Sequence, residues 1–516
     1  MHFTDNESRT YMIGLLIQDN AYEQDIRELL MSFYPGETYA HEVKDELEFY
    51  VETRLGQGEI SVLIWDRDGG RDGMDQGGAA ALPAGQGPEE GNPVSWKLSV
   101  SRTGASDLSD HSATKNVVKK MFYQMLMERT GTGLPWGSLT GIRPTKIALT
   151  RLEEGWDEDA IRSFMKETYM ASDEKINLSI EIAAREKKLL EPLDYERGYS
   201  LYVGIPFCPT TCLYCSFTSY PISKWTGRTG LYLEALFKEL EYTAGKMKGR
   251  PLDTIYFGGG TPTSLPAEDI HAILCKLEDL FDTGHALEFT VEAGRPDSIT
   301  EEKLKVLRNH GITRISINPQ TMNQKTLDLI GRRHSVEMVK ERFWMARELG
   351  FDNINMDLIM GLPEEDMDDV RHTLHEVKEL APDSLTVHSL AIKRAARLNM
   401  FREQYGDLKI SNTPEMIDLS AACAREMGME PYYLYRQKNM AGNFENVGYS
   451  LPGKACIYNI LIMEEMQTIA ACGAGTTTKV VFPSENRRER CENVKEVEQY
   501  ISRIDEMIGR KEKILL

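Results

Sequence analysis

The stretch YVGIPFCPTTCLYCSF, residues 202–217, sets Cys208, Cys212 and Cys215 in a CxxxCxxC spacing. Turns of this length bring three thiolates onto one face of a compact loop, a geometry that suits an iron–sulfur cube. Four irons with three protein thiolates leave one iron without a protein ligand, so such a cluster can bind and reduce another molecule there, as an all-cysteine electron-transfer cluster cannot. The competing reading is a structural Cys3His zinc. No histidine lies between Glu186 and Trp225 to complete one, and zinc sites more often space their pairs as CxxC twice.

The other cysteines, Cys275, Cys423, Cys456, Cys472 and Cys491, are scattered through 516 residues and make no disulfide framework; they read as small buried side chains in a reducing compartment. The chain is too long for one simple core and implies several domains. Its 41% hydrophobic and 27% charged content is that of an ordinary globular protein. A net charge of −20 repels phosphate backbones and argues against nucleic acid as a partner. The opening residues MHFTDNESRTYMIGLLIQDN carry no basic n-region, and nowhere does an uninterrupted apolar run reach about 18 residues, so the expectation is a cytoplasmic protein with no membrane span.

Residues 1–195 read as an N-terminal α+β domain. Strands are expected at 11–18, 47–55, 60–66 and 96–101, and a helix at 113–129 with Val117, Val118, Met121, Phe122, Met125 and Leu126 at helical spacing. Residues 68–92 are Gly-, Pro-, Ala- and acid-rich and are expected to form a mobile loop. The stretch GTGLPWGSLTGIRPTKIAL, with Trp136, Arg143 and Lys146, reads equally as a binding loop or a packed connector. From residue 196 to 400 strands alternate with helices, near 201–205, 254–257, 287–292, 313–317, 353–358 and 384–388. Alternation of this kind implies a parallel sheet with right-handed crossovers, and periodicity alone does not separate an open sheet from a barrel. Residues 401–516 read as a C-terminal α+β cap with a helix at 414–427, the aromatic strand PYYLY and a charged final helix. The strand TIYF runs directly into Gly258-Gly259-Gly260-Thr261-Pro262, where glycines let the backbone approach a ligand closely.

Tyr202, Ile205-Pro206-Phe207-Cys208 and Gly258-Gly259-Gly260-Thr261-Pro262 together resemble the radical S-adenosylmethionine (SAM) enzymes, and within them the oxygen-independent coproporphyrinogen dehydrogenase family. The long N-terminal extension and the run Tyr435-Arg436-Gln437-Lys438-Asn439 are most similar to its HemZ-type branch. The resemblance implies an α/β fold with a partial (β/α)6 barrel, the cluster loop after the first strand and the site at the C-terminal ends of the strands. It implies a [4Fe–4S] cluster on Cys208, Cys212 and Cys215 and one or two SAM molecules. Tyr202, taken as catalytic, would contact the first SAM together with Gly259 and Glu292, the carboxylate accepting ribose hydroxyls. Gly260, Thr261, Gln320, Arg332 and Asp357 match the contacts of a second SAM.

By the same resemblance the chain is an oxidoreductase acting on coproporphyrinogen III. A 5′-deoxyadenosyl radical would abstract hydrogen from a propionate, and loss of carbon dioxide and an electron would leave a vinyl group, giving protoporphyrinogen IX after two rounds. A flavodoxin- or ferredoxin-like protein would donate the electron. Lys393, Arg394, Arg397, Arg436 and Lys438 are candidate partners for the propionates. Two positions depart from the pattern. The best-known branch has histidine where this chain has Gly204 and a further cysteine where it has Phe217. The haem-carrier branch has a His-Asn pair followed by Tyr-Trp where this chain reads Tyr458-Asn459-Ile460-Leu461-Ile462. Another radical SAM reaction on a tetrapyrrole, such as methyl transfer with haem ring opening, and carriage of haem are the alternatives.

Overall fold

The computed structural model describes residues 12–34, 37–56, 58–67, 95–105, 109–141, 143–217, 219–391, 396–400, 408–437 and 444–515. The loop expected at 68–92 lies outside these. The chain forms two compact units, Met1–Ile142 with Trp156–Asn177, and Arg143–Gly155 with Leu178–Leu516. These cuts differ from the three-part division at 195 and 400, which remains a proposal about parts that fold alone.

The first unit holds a five-stranded sheet in the order β2-β1-β3-β4-β5. Its strands are β1 (Met12–Ile17), β2 (Thr38–Ala40), β3 (Leu47–Leu55), β4 (Glu59–Arg67) and β5 (Trp96–Ala105). Strands β1 and β3 pair in parallel, and β3, β4 and β5 form an antiparallel meander. Period-two alternation puts Phe49 and Val51 of β3 with Ile60, Val62 and Ile64 of β4 on one buried face. Against that face pack Ile26, Leu29 and Leu30 of helix Glu23–Phe33 and Val118, Phe122, Met125 and Leu126 of helix His111–Thr130. The second helix starts where the Asp110 side chain accepts from the Ala113 N–H at 3.0 Å. It stops at Gly131, whose φ of 69° suits glycine.

The second unit is built on an eleven-stranded sheet. Its parallel heart is β6 (Tyr199–Ile205), β9 (Leu252–Gly259), β10 (Glu288–Glu292), β11 (Arg314–Ser316), β12 (Ile354–Met360) and β13 (Ser384–Ser389), with β7 (Phe207–Cys208) and β8 (Tyr220–Pro221) paired inside the loop after β6. Each strand lies beside the next of the series, and helices such as Thr229–Lys246, Ala267–Leu280 and Met367–Leu380 make the crossovers. The C-terminal segment joins this sheet at both edges. Strand β15 (Asn446–Ser450) pairs antiparallel with β13 and carries β14 (Glu430–Tyr435), while β16 (Thr468–Cys472) pairs in parallel with β6 and leads to β17 (Thr477–Phe482) and β18 (Arg487–Glu492). Six parallel strands joined by helical crossovers are the α/β arrangement that the resemblance implies, here continued at both edges by strands of the C-terminal segment. No helix among the described residues is long and apolar enough to cross a membrane.

A buried ionic network fixes the turn after β16. Glu239 and Lys511 are both fully buried, 2.7 Å apart. The Glu239 carboxylate also accepts from the Gly473 N–H and the Asn493 amide, each at 2.7 Å, and from the Tyr500 hydroxyl. Every oxygen is thereby satisfied, as a charge withdrawn from water requires. Lys511→Met removes the counter-charge and is expected to destabilise the protein by about 3–5 kcal/mol in anaerobic denaturant unfolding, whereas Glu239→Gln combined with Lys511→Met loses clearly less. Equal losses in the single and double variants would show that the pair does not act as described.

Candidate functional site

Alternation along the parallel strands aims one row of side chains at a common cavity of about 760 Å³. Registers Tyr202↔Tyr256, Tyr256↔Thr290, Glu292↔Ser316, Ser316↔Asn355 and Asp357↔Thr386 carry that row across the sheet. Tyr202, Cys208, Cys212, Cys215, Gly259, Gly260, Thr261, Glu292, Gln320, Arg332 and Asp357 all line this one cavity. The structure thus brings together the residues named from the sequence for the cluster and SAM, but not the cations named for the propionates.

The cysteine loop is held by backbone. Gly260 N–H donates to Ile205 C=O and Thr261 N–H to Phe207 C=O, both at 2.7 Å. A Cβ on Gly260 would lie 2.5 Å from the Phe207 carbonyl oxygen, and Gly259 has φ +103°, so neither position tolerates a side chain. On the far side Leu213 N–H donates to Ile330 C=O at 2.9 Å and the Thr210 hydroxyl to Gly331 C=O at 3.1 Å. Arg295 is locked by a two-pronged pair with Asp297, at 2.9 and 2.7 Å, and places Nη1 3.4 Å from Cys212 Sγ. Cys208 Sγ is 3.4 Å from the Thr261 hydroxyl. Burial pushes the Cys208 thiol up and that of Cys215 up to about 11, so both become thiolates only beside the charge of a metal.

Next to this loop, three tyrosine rings form a wall. Tyr256 stacks on Tyr458 at 4.4 Å, and Tyr202 lies 6.0 Å from each. Burial raises the Tyr202 phenol, with Glu292 adding to the effect, so it stays a donor. Tyr256 donates to Glu292 Oε1 at 2.6 Å. Burial lifts the Glu292 carboxyl to about 7; that hydrogen bond opposes the rise and the Asp357 charge adds to it. Asp357 is itself held below the ordinary range: burial acts against ionisation, but His388, Asn355 and Thr386 outweigh it. The Asn355 amide donates to Asp357 Oδ1 at 2.7 Å. Gln320 sits at φ +70°, a conformation few residues other than glycine adopt. Its N–H donates to Asp357 C=O at 2.9 Å and its C=O accepts from Ile359 N–H at 3.0 Å, which holds the strained residue in place.

At Gly204 the structure leaves no room for a histidine. An ideal Cβ there would fall 2.3 Å from Thr476 Cγ2. The same turn holds Gly473 at φ +114°, where a Cβ would meet the Gly204 carbonyl oxygen at 2.3 Å. The turn after β16 thus fills the space beside β6. The cavity does contain one imidazole among the described residues, His388 on β13, its Nε2 3.9 Å from Asp357 Oδ2 and its Nδ1 3.2 Å from the Tyr435 hydroxyl.

Sequence reasoning missed several lining residues: Tyr256, Tyr433, Tyr435, Tyr458, Arg295, His388, Lys479 and Lys495. Period-two spacing from Thr386 to His388 and from Tyr433 to Tyr435 was the available signal. Of the cations put forward for propionates, Lys393, Arg394 and Lys438 lie outside the described residues, Arg397 is exposed, and Arg436 is buried without lining the cavity. Arg143 and Lys146 bond to Glu465 at 2.8 Å and to the Glu464 carbonyl at 2.7 Å, a packing role. Phe217 stands largely exposed at the cavity rim.

The sequence model of the Radical SAM superfamily matches residues 202–377. The oxygen-independent coproporphyrinogen-III oxidase-like protein HemZ of Bacillus subtilis (strain 168) is 43% identical over 405 residues, 78% of this chain and 81% of that protein. The chain belongs to the radical SAM coproporphyrinogen-III oxidase-like family. Within this family it is also similar to the heme chaperone HemW of Bacillus subtilis, 37% identical over 38% of this chain and 51% of that one. The solved coproporphyrinogen III oxidase HemN from Escherichia coli, a radical SAM enzyme, superposes with a TM-score of 0.50 at 25% identity, covering 61% of this chain and 71% of that one. Membership of the radical SAM family implies a [4Fe–4S] cluster and SAM. The donor set fits: three cavity-lining thiols, glycines whose Cβ would collide with the loop, and the Nε of Arg332 and Arg314 and the Ser316 hydroxyl, buried in the cavity wall without a protein partner.

The elevated Glu292 carboxyl has a consequence for stability. The folded state holds this proton more tightly than the unfolded chain, so its contribution is complete below about pH 4.5 and is lost as pH rises to about 7. SAM-free wild type should lose roughly 3 kcal/mol of unfolding free energy across that window relative to Glu292→Gln. Parallel pH profiles of the two proteins would contradict this.

Proposed function

We propose that this chain catalyses the oxygen-independent oxidative decarboxylation of coproporphyrinogen III propionates to vinyl groups. The observation that carries the reading is the convergence of the three-cysteine loop, the glycine turn and a wall of tyrosines on one cavity whose volume lies in the upper range of small-molecule sites. Cys208, Cys212 and Cys215 would hold three irons of the cluster. The backbone of Gly259 and the carboxylate of Glu292, with Tyr202, would hold one SAM; Gly260, Thr261, Gln320, Arg332 and Asp357 would hold a second. When bound, the cluster and SAM supply hydrogen-atom abstraction by a 5′-deoxyadenosyl radical.

The chain's own residues then have three tasks. Lys495, which lines the cavity, offers a cation to a propionate in an otherwise acidic protein, whereas Lys479 beside it is paired with Glu465 at 3.2 Å. The tyrosine wall excludes water from the reacting carbon. His388, oriented by Asp357 and Tyr435, offers the proton-handling group that Gly204 cannot carry. Each propionate would lose a hydrogen atom to the 5′-deoxyadenosyl radical, giving 5′-deoxyadenosine, then carbon dioxide, and one electron to a separate one-electron acceptor, leaving a vinyl group. A flavodoxin- or ferredoxin-like donor would reduce the cluster, in the cytoplasm.

Similarity to the heme chaperone HemW supports a second reading, haem carriage. Against it, both nitrogens of the cavity imidazole face polar partners, which leaves His388 poorly disposed as an axial ligand. Anaerobic incubation with SAM, reductant and coproporphyrinogen III should release carbon dioxide and vinyl-bearing porphyrinogen, with 5′-deoxyadenosine in step. Glu292→Ala and Gln320→Ala should suppress product, and His388→Ala should lower it about tenfold or more. Tight stoichiometric haem binding with SAM cleavage uncoupled from decarboxylation would refute the proposal in favour of the carrier.

A further inference from the structure

Away from the cavity, a cluster of metal-ligating side chains forms between two crossover helices. His271 and Cys275 lie one turn apart on the same face of helix Ala267–Leu280, and His310 is the C-cap of helix Glu301–Asn309. Their ligand atoms all fall within 4.8 Å of one another. His271 Nδ1 is 2.8 Å from His310 Nε2 and 3.8 Å from Cys275 Sγ. On its other side His310 turns Nδ1 to the Glu278 carboxylate at 2.7 Å, and its side chain is only 10% exposed. From this geometry we propose that the chain binds one zinc ion through His271, Cys275 and His310, with Glu278 orienting His310.

Each part of the cluster has a chemical reason. The Glu278 contact fixes the proton of His310 on Nδ1 and turns the Nε2 lone pair toward His271, the carboxylate–histidine arrangement found behind zinc ligands. Two ring nitrogens at 2.8 Å share one proton, and a metal replaces that proton. Tetrahedral zinc, with Zn–N near 2.0–2.1 Å and Zn–S near 2.3 Å, sets two nitrogens about 3.3 Å apart and nitrogen from sulfur about 3.6 Å apart. The histidine pair therefore opens by about half an ångström on loading, within the reach of one side-chain adjustment at exposed His271. Two imidazoles and one thiolate suit zinc better than calcium or magnesium, which take oxygen ligands, and solvent completes the fourth position.

The position of the site sets its role. The cluster joins the helix that follows β9 to the helix that precedes β11, on the outside of the sheet. None of the three ligands lines that cavity. Zinc here staples two neighbouring helices and takes no part in radical chemistry.

The test uses the full-length, cluster-loaded protein. It is supplied anaerobically with one equivalent of zinc and freed of unbound metal; zinc and iron are then counted by mass spectrometry and the zinc shell is read by X-ray absorption. The expected result is one zinc per chain with one sulfur and two imidazole neighbours. Cys275→Ser and His310→Ala should lose it with iron content unchanged, and Glu278→Gln should weaken zinc binding about tenfold. Should Cys275→Ser fail to fold, His271→Asn at the exposed position carries the same comparison. Zinc retained by the His271→Asn protein, zinc gained only as iron is displaced, or no zinc above the variant background would each overturn the proposal.

Discussion

Two backbone hydrogen bonds, from Gly260 N–H to Ile205 C=O and from Thr261 N–H to Phe207 C=O, each 2.7 Å, hold the cysteine loop against the glycine turn. They form because β6 and β9 are adjacent parallel strands in register from Ser200↔Thr254 to Ile205↔Gly259, so that their exits emerge side by side. Glycine is required there because a Cβ at residue 260 would penetrate the Phe207 carbonyl. The approach of Glu292 follows from the same sheet, since it ends β10 beside β9, and the three thiols sit on the loop that β6 leads into and this junction holds. Arg295, with its Asp297 partner, adds a buried cation beside Cys212, which favours a negatively charged sulfur cluster.

Gly204 has a physical explanation in the C-terminal segment. The Glu239–Lys511 network pins Gly473, the turn pins Thr476, and Thr476 occupies the space a side chain at residue 204 would need. Among the described residues the imidazole that lines the cavity is His388, on β13, the last of the six parallel strands, whereas Gly204 is on β6, the first.

The six parallel strands and the cysteine loop were legible in the sequence because their signals are local: apolar runs ended by glycine, a fixed cysteine spacing and helical periodicity between them. The joining of the C-terminal strands to the sheet was not. Strand β16 pairs with β6 across some 270 residues of chain, as Thr468↔Tyr199 shows, and such pairing leaves no local pattern. Strand β2, with three residues, is too short to carry a period. At Tyr256, Tyr433, Tyr435 and Tyr458 a packed core and a cavity wall leave the same sequence pattern, and only the fold reveals that they face a cavity. His271 and Cys275 have a visible i, i+4 spacing, but His310 joins them through packing of consecutive crossover helices.

We propose that three thiolates leave one iron of the cluster free for SAM in a cavity lined by the glycine turn and Glu292. Electron–nuclear double resonance on the reduced cluster, with SAM carrying nitrogen-15 in its amino group and oxygen-17 in its carboxylate, tests it most directly. Hyperfine coupling of both labels to the cluster is expected, absent from the Cys215→Ala protein because no intact cluster forms there. A cluster that shows no coupling to either label, or a Cys215→Ala protein that retains four irons and the same coupling, would contradict it.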